Sequence, residues 1–407
     1  MTTARGYLDD PFRFEFDADV IGKVTLPDGR QGVLLAETYF YPTGGGQEHD
    51  TGMLGEAQVV DVFVDDAGNV VHVVDGEVTG RQVPAKIDRE RRFGFLQQHS
   101  AQHLLSAVLE DMEGLETISA KISIDSPTTI DVPLANLGEH DWLRVQDRAN
   151  ALIYADRQIK SYFIREPEIA TVPFRRPPKV SGQIRVVEID GVDYSACGGT
   201  HCTRTGMIGV LKILKSERRA DKLRVYFVAG RQALSYFQNY YAILTQVARQ
   251  LNTNPEAVAQ NVQRQQEQLR AAQVELEALA AERLPLEAKR LVATAEPFES
   301  IKLVIATFPD RTAQQLRALA GLLQNEPGMV ALLATYDGMK LALAVACAAD
   351  TAVSASELLR KHLSQIGGRG GGDARLAQGG GAATEEQWQA FFANTRKFIR
   401  ESRESRE

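Results

Sequence analysis

The chain has 407 residues, enough for about two to four domains, because a single hydrophobic core stops growing at about 250–300 residues. Hydrophobic residues make up 44% and charged residues 24% of the sequence, which excludes a disordered chain, and the net charge of -7 argues against a protein coated in nucleic acid. Neither a signal peptide nor a run of the roughly 20 apolar residues that span a membrane is found, so we expect a cytoplasmic protein.

Short β-type runs separated by turn signals occupy residues 1–87 and predict a small β-barrel domain. The runs begin at Lys23, Gly32, Gln58 and Val70.

A glycine-rich loop, Thr43-Gly-Gly-Gly-Gln47, lies inside this predicted barrel. The glycines allow close backbone approach and expose N–H groups that can hold a carbonyl or phosphate, and Thr43 and Gln47 can bond a small polar group. A plain β-turn explains the same residues, so the sequence leaves both readings open.

Helical periodicity begins after Arg89, and strand character returns near Ile184, so residues 88–230 are predicted to form an α+β domain. His99 and His103 are four residues apart and therefore project from one face of the helix toward a single metal ion. Ser100 stands where a metalloprotease needs glutamate. Two such histidines alone are more often ordinary core or surface residues.

The segment Cys197-Gly-Gly-Thr-His201 supplies a thiolate and an imidazole across a tight glycine turn, although a glycine turn with a buried cysteine is the simpler reading. Together with His99 and His103 it predicts one tetrahedral zinc per chain. Cys202 should point away from the site. Four protein ligands are typical of structural zinc, whereas catalytic zinc keeps an open position, and the sequence does not decide between them.

A basic stretch runs from Arg204 to Arg231 in the otherwise acidic chain, and it predicts either a tRNA-binding patch or a solvated, salt-bridged face. Its candidate contacts are Lys215, Arg218, Arg219, Lys222 and Arg224.

Residues 231–295 are rich in Ala, Gln, Glu, Leu and Arg and predict a helical or coiled-coil arm, with Pro255 and Pro285 at helix starts or kinks. The arm is either a spacer or a dimer interface. Its heptad positions carry Val262, Leu269, Ala272, Leu276, Leu279 and Leu286.

Residues 296–407 alternate strand-like and helix-like segments and predict a separate α/β domain. The strand-like runs begin at Ile301, Met329 and Leu341. A glycine cluster, Gly367–Gly381, follows them.

These motifs, in this order, resemble the editing domain of alanyl-tRNA synthetase and its free-standing relatives, the AlaX proteins. The carboxyl-terminal unit resembles the DHH-associated domain, which indicates the long AlaX form. In that family the domain is linked to tRNA binding or dimerisation, so the resemblance makes Arg369 and Arg375 candidate phosphate contacts and the carboxyl-terminal domain a second candidate homodimer interface beside the arm. Ser100, where threonine is common, and Glu48, where proline is common, depart from the pattern without removing a ligand. Because the chain starts at the barrel, we expect no class II aminoacylation domain.

The resemblance implies hydrolysis of serine or glycine from mischarged tRNA(Ala), because an alanine pocket cannot reject either amino acid by binding alone. It implies zinc at His99, His103, Cys197 and His201. The amino-acid pocket would comprise Thr43, Gly45, Gly46 and Gln47. Water near the zinc would attack the ester and loop amides would stabilise the oxyanion. The alternatives are a non-catalytic zinc-containing tRNA-binding module and editing of threonine tRNA.

Overall fold

The computed structural model describes residues 2–178 and 182–404, with side chains to residue 401 in the last helix. The chain divides into two compact units, Met1–Pro255 and Glu256–Glu407. The boundary between them falls inside the predicted arm, at the 3₁₀ helix Pro255–Ala257.

The first unit contains the predicted barrel, the predicted α+β region and the first helix of the arm. Its strands are β1 Ala4–Arg5, β2 Glu15–Thr25, β3 Gln31–Leu35, β4 Glu37–Thr38, β5 Gly52–Leu54, β6 Ala57–Val64, β7 Val70–Asp75, β8 Gln82–Ile87, β9 Ser119–Lys121, β10 Thr128–Pro133, β11 Ile159–Arg165, β12 Gln183–Ile189, β13 Asp193–Ala196, β14 Leu211–Arg219 and β15 Lys222–Ala229. Its α-helices are α1 Arg89–Glu113, α2 Glu139–Tyr154 and α3 Gly230–Gln250, and its 3₁₀ helices are Gly6–Leu8, Glu166–Thr171 and Thr205–Ile208.

The amino-terminal strands close into an antiparallel barrel in the order β2-β3-β7-β6-β5-β8, which confirms the predicted barrel. Burial alternates along β8, where Val83, Ala85 and Ile87 face the interior. Val59, Val62 and Leu54 fill the barrel from other strands. Alternating apolar residues thus place one face of each strand in the core.

Helix α1 runs through the middle of the first unit. Asp88 caps its amino terminus by accepting from the backbone N–H groups of Glu90 and Arg91, and Gly114 ends it in the left-handed conformation. Residues from Phe95 to Leu109 are buried. The helix packs with α2 and with a four-stranded sheet of order β14-β15-β10-β9, while β11-β12-β13 form a second sheet.

A buried arginine joins α1 to the barrel. Arg92 and Asp50 are both fully buried and form an ion pair, and Arg92 also donates to the carbonyls of Pro11 and Tyr39. These bonds fix the first turn of the helix against the barrel loops.

The second unit contains a mixed six-stranded sheet of order β16-β17-β18-β19-β21-β20, in which β17 and β18 form the parallel pair. Its strands are β16 Glu296–Phe298, β17 Ile301–Thr307, β18 Met329–Tyr336, β19 Lys340–Cys347, β20 Arg369–Gly372 and β21 Leu376–Ala382. Its helices are α4 Val258–Ala293, α5 Ala313–Leu323, α6 Ala355–Leu363 and α7 Glu385–Glu404. Helix α5 packs in one apolar cluster, and α6 and α7 pack in the other. The predicted glycine cluster forms the hairpin β20–β21.

Helix α4 contains Pro285 and carries the predicted heptad pattern. Leu269, Leu276 and Leu286 on that seam are exposed. The coiled coil and a homodimer formed through it stay predictions. Within the described parts of the chain, no helix is both long and apolar enough to cross a membrane.

Candidate metal centre

Four side chains from distant parts of the chain meet in the first unit. His99 and His103 lie on the buried stretch of α1, Cys197 directly follows β13, and His201 lies in the turn beyond it. One ligand atom from each residue lies within 4.8 Å of the others, and the three histidines are buried. The structure therefore brings together the four residues that the sequence predicts as ligands.

The spacing and the donor types both fit zinc. Cys197 Sγ is 3.5 Å from His99 Nε2 and 3.4 Å from His201 Nε2. Tetrahedral zinc with bonds of about 2.0–2.3 Å holds neighbouring ligand atoms about 3.3–3.8 Å apart. A set of three imidazoles and one thiolate is a donor combination that zinc prefers.

Each histidine is oriented through its other ring nitrogen. The Nδ1 atoms of His99, His103 and His201 lie 2.8 Å from Gln47 Oε1, 3.1 Å from Asp193 Oδ2 and 3.5 Å from Ser100 Oγ, respectively. Partners at Nδ1 fix the ring and leave Nε2 as the metal-binding atom. The cluster is thus held in ligand geometry by the protein itself.

Gln47 connects the barrel loop to the segment Cys197–His201, which we call the ligand turn. Its side chain is buried, and its Nε2 donates to Thr200 Oγ1 at 3.0 Å while its Oε1 lies beside both His99 and the Thr200 N–H. The amide therefore bridges one ligand on α1 and the residue before His201.

Asp193 is the carboxylate behind His103. It also accepts from Arg175 Nε at 2.8 Å and from Ser195 Oγ at 2.9 Å. Burial would raise the pKa of Asp193, but the hydrogen bond and charge of His103 and the charge of Arg175 outweigh it and lower the pKa to about 2. The carboxylate thus stays ionised beside the histidine.

The ligands themselves have strongly shifted acidities. Burial would raise the pKa of the Cys197 thiol, but the charges of His99 and His201 dominate and hold it well below its usual range. The pKa of His201 falls to about 3 through burial and the charge of His99. Burial opposes the charged form of His103, but hydrogen bonds to Asp193 and Cys197 raise its pKa to about 9. The thiolate of Cys197 and the neutral imidazole of His201 are the forms that bind metal, whereas His103 would release its proton when a metal ion binds.

Gly199 is needed for close approach inside the ligand turn. A Cβ at this position would lie 2.2 Å from His99 Cε1, closer than any two non-bonded carbons approach. Arg185 holds the same turn by donating from Nη1 to the carbonyls of Cys197 and Gly199, both at 2.9 Å.

Cys202 does not join the cluster. It is buried in the apolar core with Leu104 and Phe227, and its backbone N–H donates to Ser100 Oγ. Burial raises the pKa of its thiol to about 12, which keeps it protonated. This placement is the outward orientation expected from its position beside His201.

The predicted pocket residues take different places. Gln47 contacts a ligand, whereas Thr43 is exposed and bonds the ring and backbone of His49. Gly45 and Gly46 have positive φ values of 57° and 84°. A Cβ on Gly46 would lie 2.6 Å from the Ala120 carbonyl oxygen, so this glycine lets the loop pack against β9.

The basic stretch lies mainly on the hairpin β14–β15. Arg224 forms two hydrogen bonds to Asp131, at 2.7 and 2.9 Å, and Lys215 and Arg219 both pair with Glu217. Within residues 2–178 and 182–404, no ion pair involves the two other candidates, Arg218 and Lys222. Three of the five candidates therefore belong to a salt-bridged face, as one of the two predictions expected. Arg218 and Lys222 remain candidates for a tRNA-binding patch.

The two arginines predicted in the glycine motif also differ. Arg369 lines a cleft of about 610 Å³ along the glycine hairpin, together with Arg317 of α5. Arg375 instead donates to the Gln324 carbonyl at 3.1 Å and to Asn325 Oδ1 at 3.0 Å. Arg317 was not predicted because nothing in its helical sequence marks it.

The sequence also failed to predict two residues that support the metal centre, Asp193 and Arg185. Asp193, Ser195 and Cys197 alternate along β13 and its continuation, so the period of two could have placed all three on one face. Arg185 carries no comparable signal, because its contacts are backbone carbonyls distant in sequence.

Two protein-family models match the chain. The model described as the threonyl and alanyl tRNA synthetase second additional domain matches residues 184–226, and the DHHA1 domain model matches residues 300–401. The first overlaps β12–β15 and includes Cys197 and His201, and the second covers most of the second unit.

Similar proteins are alanine–tRNA ligases. That of Archaeoglobus fulgidus is 34% identical over 392 residues, which are 93% of this chain and 42% of the relative. That of Methanopyrus kandleri is 32% identical over 402 residues, covering 93% of this chain and 43% of the relative. The C-Ala domain from Aquifex aeolicus alanyl-tRNA synthetase is 27% identical and covers 26% of this chain and 96% of that domain, with a TM-score of 0.24, too low to carry an argument about fold. The chain spans less than half the length of the two ligases.

Proposed function

We propose that this chain, which is homologous to the carboxyl-terminal region of archaeal alanyl-tRNA synthetases, is an aminoacyl-tRNA deacylase. Its substrates are tRNA(Ala) molecules that carry serine or glycine in place of alanine, and it hydrolyses the ester that joins the amino acid to the tRNA. It binds one zinc ion per chain through His99, His103, Cys197 and His201, and it works in the cytoplasm, where charged tRNA is used.

The observation that carries this proposal is the buried ligand cluster with a fixed orientation for every imidazole. Zinc bound there would supply a positive charge that can polarise an ester carbonyl or a water molecule. The chain's own residues would hold the zinc ion and orient its ligands. Gln47 fixes the ring of His99, Asp193 fixes that of His103, and Cys197 contributes the thiolate.

The glycine loop offers hydrogen-bond donors beside this cluster. The Gly44 and Gln47 N–H groups are used within the turn, each donating to the other residue's carbonyl. In the described part of the chain, the N–H groups of Gly45 and Gly46 make no backbone hydrogen bond. Two such free donors suit the developing oxyanion of ester hydrolysis, and Thr43, whose exposed side chain bonds His49, would contact the amino acid at the start of the loop.

The choice of amino acid follows from the limits of binding. A pocket built for alanine cannot strongly reject the smaller glycine, and it cannot strongly reject serine, which adds only a hydroxyl. The similar proteins are alanine–tRNA ligases, so the expected substrates are tRNA(Ala) molecules charged with the wrong amino acid. The tRNA body would contact cations that form no ion pair among the described residues, so Arg218, Lys222 and Arg369 are the best placed of the predicted residues. Arg375, which bonds Gln324 and Asn325, is the least well placed.

A deacylation assay tests the proposal. The full chain, loaded with zinc, is incubated with seryl-, glycyl- and alanyl-tRNA(Ala) and with seryl-tRNA(Thr), and the remaining ester is measured over time. We expect loss of serine and glycine from tRNA(Ala), with alanine and the threonine tRNA spared. Cys197→Ala should abolish activity, whereas Cys347→Ala, which removes a buried thiol in the other unit, should retain it.

One observation favours a second candidate, a non-catalytic tRNA-binding module. Four protein ligands fill a tetrahedral coordination sphere, which is typical of structural zinc. If the wild-type chain binds tRNA(Ala) but leaves every ester intact, this second function replaces the deacylase. Hydrolysis of seryl-tRNA(Thr) instead of seryl-tRNA(Ala) would assign editing to threonine tRNA.

A further inference from the structure

A cavity of about 560 Å³ lies beside the metal centre, on the side of His103 and Cys197. Its volume is in the range of sites that enclose a small ligand. The described residues that line it include four arginines and no aspartate or glutamate: Arg5, Arg175, Arg176 and Arg185. The cavity therefore has a strongly cationic wall next to the cluster.

Two of these arginines have carboxylate partners outside the cavity lining. Arg175 pairs with Asp193 at 2.8 Å and approaches Glu110 at 3.7 Å, and Arg176 pairs with Glu116. Their charges are therefore largely compensated.

The other two arginines lack a carboxylate partner within the described residues. Arg185 is only 7% exposed, and its Nε and Nη1 atoms donate to the carbonyls of Leu8, Cys197 and Gly199. Its Nη2 makes no hydrogen bond to any described group. Arg5 is exposed and reaches the Gly68 carbonyl at 3.5 Å. The negative charges of Cys197 and Asp9 act on Arg185, but its hydrogen bonds go to backbone carbonyls, so an anion in the cavity would give this buried guanidinium a directly bonded counter-ion.

An aromatic ring completes the wall. Phe163 of β11 lines the same cavity and leaves 40% of its surface exposed. An exposed ring beside arginines is the combination with which proteins bind single-stranded nucleic acid, since bases stack on the ring and phosphates contact the cations.

We infer that this cavity binds the 3′-terminal nucleoside of the acylated tRNA together with the phosphate on its 5′ side. The inference rests on the proposed function, because it places the ester at the metal-centre end of the cavity. The phosphate contacts Arg185 and Arg5, and the base stacks on Phe163. The cavity thus recognises the end of the nucleic acid, separately from the amino acid that it carries.

Two unreactive probes test this inference. They are 3′-amino-3′-deoxyadenosine carrying serine through an amide, with and without a 5′-phosphate, and their affinities for the zinc-loaded full chain are measured by calorimetry. The wild type should bind the phosphorylated probe about tenfold more tightly, through charge-assisted hydrogen bonds. Arg5→Gln and Arg185→Lys should each reduce this phosphate gain to about threefold or less.

Two further variants separate the base from the phosphate. Phe163→Leu should weaken both probes by about five- to tenfold and leave the phosphate gain unchanged, because stacking is common to both probes. Lys160→Gln removes an exposed cation from the same strand, outside the cavity lining, and should keep the full gain.

The outcomes distinguish this inference from the proposed function. If both probes bind the wild type equally, or if the full phosphate gain survives in both arginine variants, the nucleotide subsite is wrong while the deacylase stands. If neither probe binds and seryl-tRNA(Ala) stays intact, the proposed function itself fails. Zinc content is measured for every variant, and Arg5→Gln decides the matter if Arg185→Lys loses zinc, because the Arg5 side chain is exposed.

Discussion

The ligand turn Cys197–His201 and the glycine hairpin β20–β21 both owe their conformation to glycine, but the glycines make room for different things. In the ligand turn, Gly199 makes room for the ring of His99. In the hairpin, Gly370 and Gly380 make room for neighbouring backbone, and the arginine side chains remain exposed. One motif builds a buried, fully bonded centre and the other an open cationic surface, so substitutions should act abruptly in the first and gradually in the second.

The largest expected effect comes from a matched pair of glycine substitutions. Gly199→Ala places a methyl group against His99, so we expect zinc affinity to fall by at least about a hundredfold. Gly371→Ala meets nothing within 4 Å and should change the melting temperature by no more than a few degrees. Zinc titration and thermal unfolding measure both, and normal zinc binding by Gly199→Ala would contradict the contrast.

The next effect tests how far the buried centre depends on residues behind the ligands. Asp193→Asn keeps the shape of the side chain but removes the charge that holds His103, so zinc affinity should fall about 10- to 100-fold. Asp190→Asn alters an exposed carboxylate three residues earlier and serves as the control. Competition with a chelator gives the affinities, and equal values for the two variants would assign Asp193 no part in metal binding.

Two buried histidines, one in each unit, also differ in how many of their ring nitrogens form hydrogen bonds. His72 bonds Thr38 Oγ1 at 2.7 Å and the Val33 carbonyl at 3.0 Å. His362 bonds Thr395 Oγ1 at 3.2 Å, and its Nδ1 has no partner in the described part of the chain. Burial lowers the pKa of each histidine to about 4.

This lowered pKa fixes the sign of a pH dependence. Below the unfolded-state pKa of about 6.5, each of these histidines binds a proton in the unfolded chain. In the folded chain the same ring stays neutral until the pH falls to about 4. Each histidine should therefore reduce the free energy of unfolding by up to about 1.4 kcal/mol per pH unit across this window as pH falls. Denaturant titrations at several pH values measure this free energy. We expect its dependence on pH to be weaker in His72→Gln and in His362→Gln than in the wild type. At neutral pH we expect His72→Gln to lose more stability than His362→Gln, because His72 has more hydrogen-bond partners. Unchanged slopes would show that neither ring is excluded from protonation.

The smallest effect belongs to the open surface. Arg317→Gln and Arg369→Gln should each weaken tRNA(Ala) binding by about three- to tenfold and reduce the slope of log affinity against log salt by about one. Lys302→Gln, an exposed cation elsewhere in the same sheet, is the control. Filter binding over a range of potassium chloride concentrations measures both quantities, and an unchanged slope would exclude the cleft as a phosphate contact.

The sequence predicted what depends on local order. The spacing of His99 and His103 indicated one helical face, and alternating residues indicated the barrel strands. The sequence could not predict bonds between distant segments, such as that from Gln47 to His99, because tertiary packing decides which polar groups meet. For the same reason Arg369 and Arg375 looked equivalent in the motif, although only Arg369 lines the cleft.

The ion pair between Arg92 and Asp50 has a consequence for transplanting parts of this protein. Asp50 belongs to the barrel loops and Arg92 to α1, and both are fully buried. A barrel grafted into another protein without the first turns of α1 would carry an unneutralised interior carboxylate, which costs about 3–5 kcal/mol, a large share of the stability of a small domain. The barrel is therefore a portable module only when it takes the start of α1 with it.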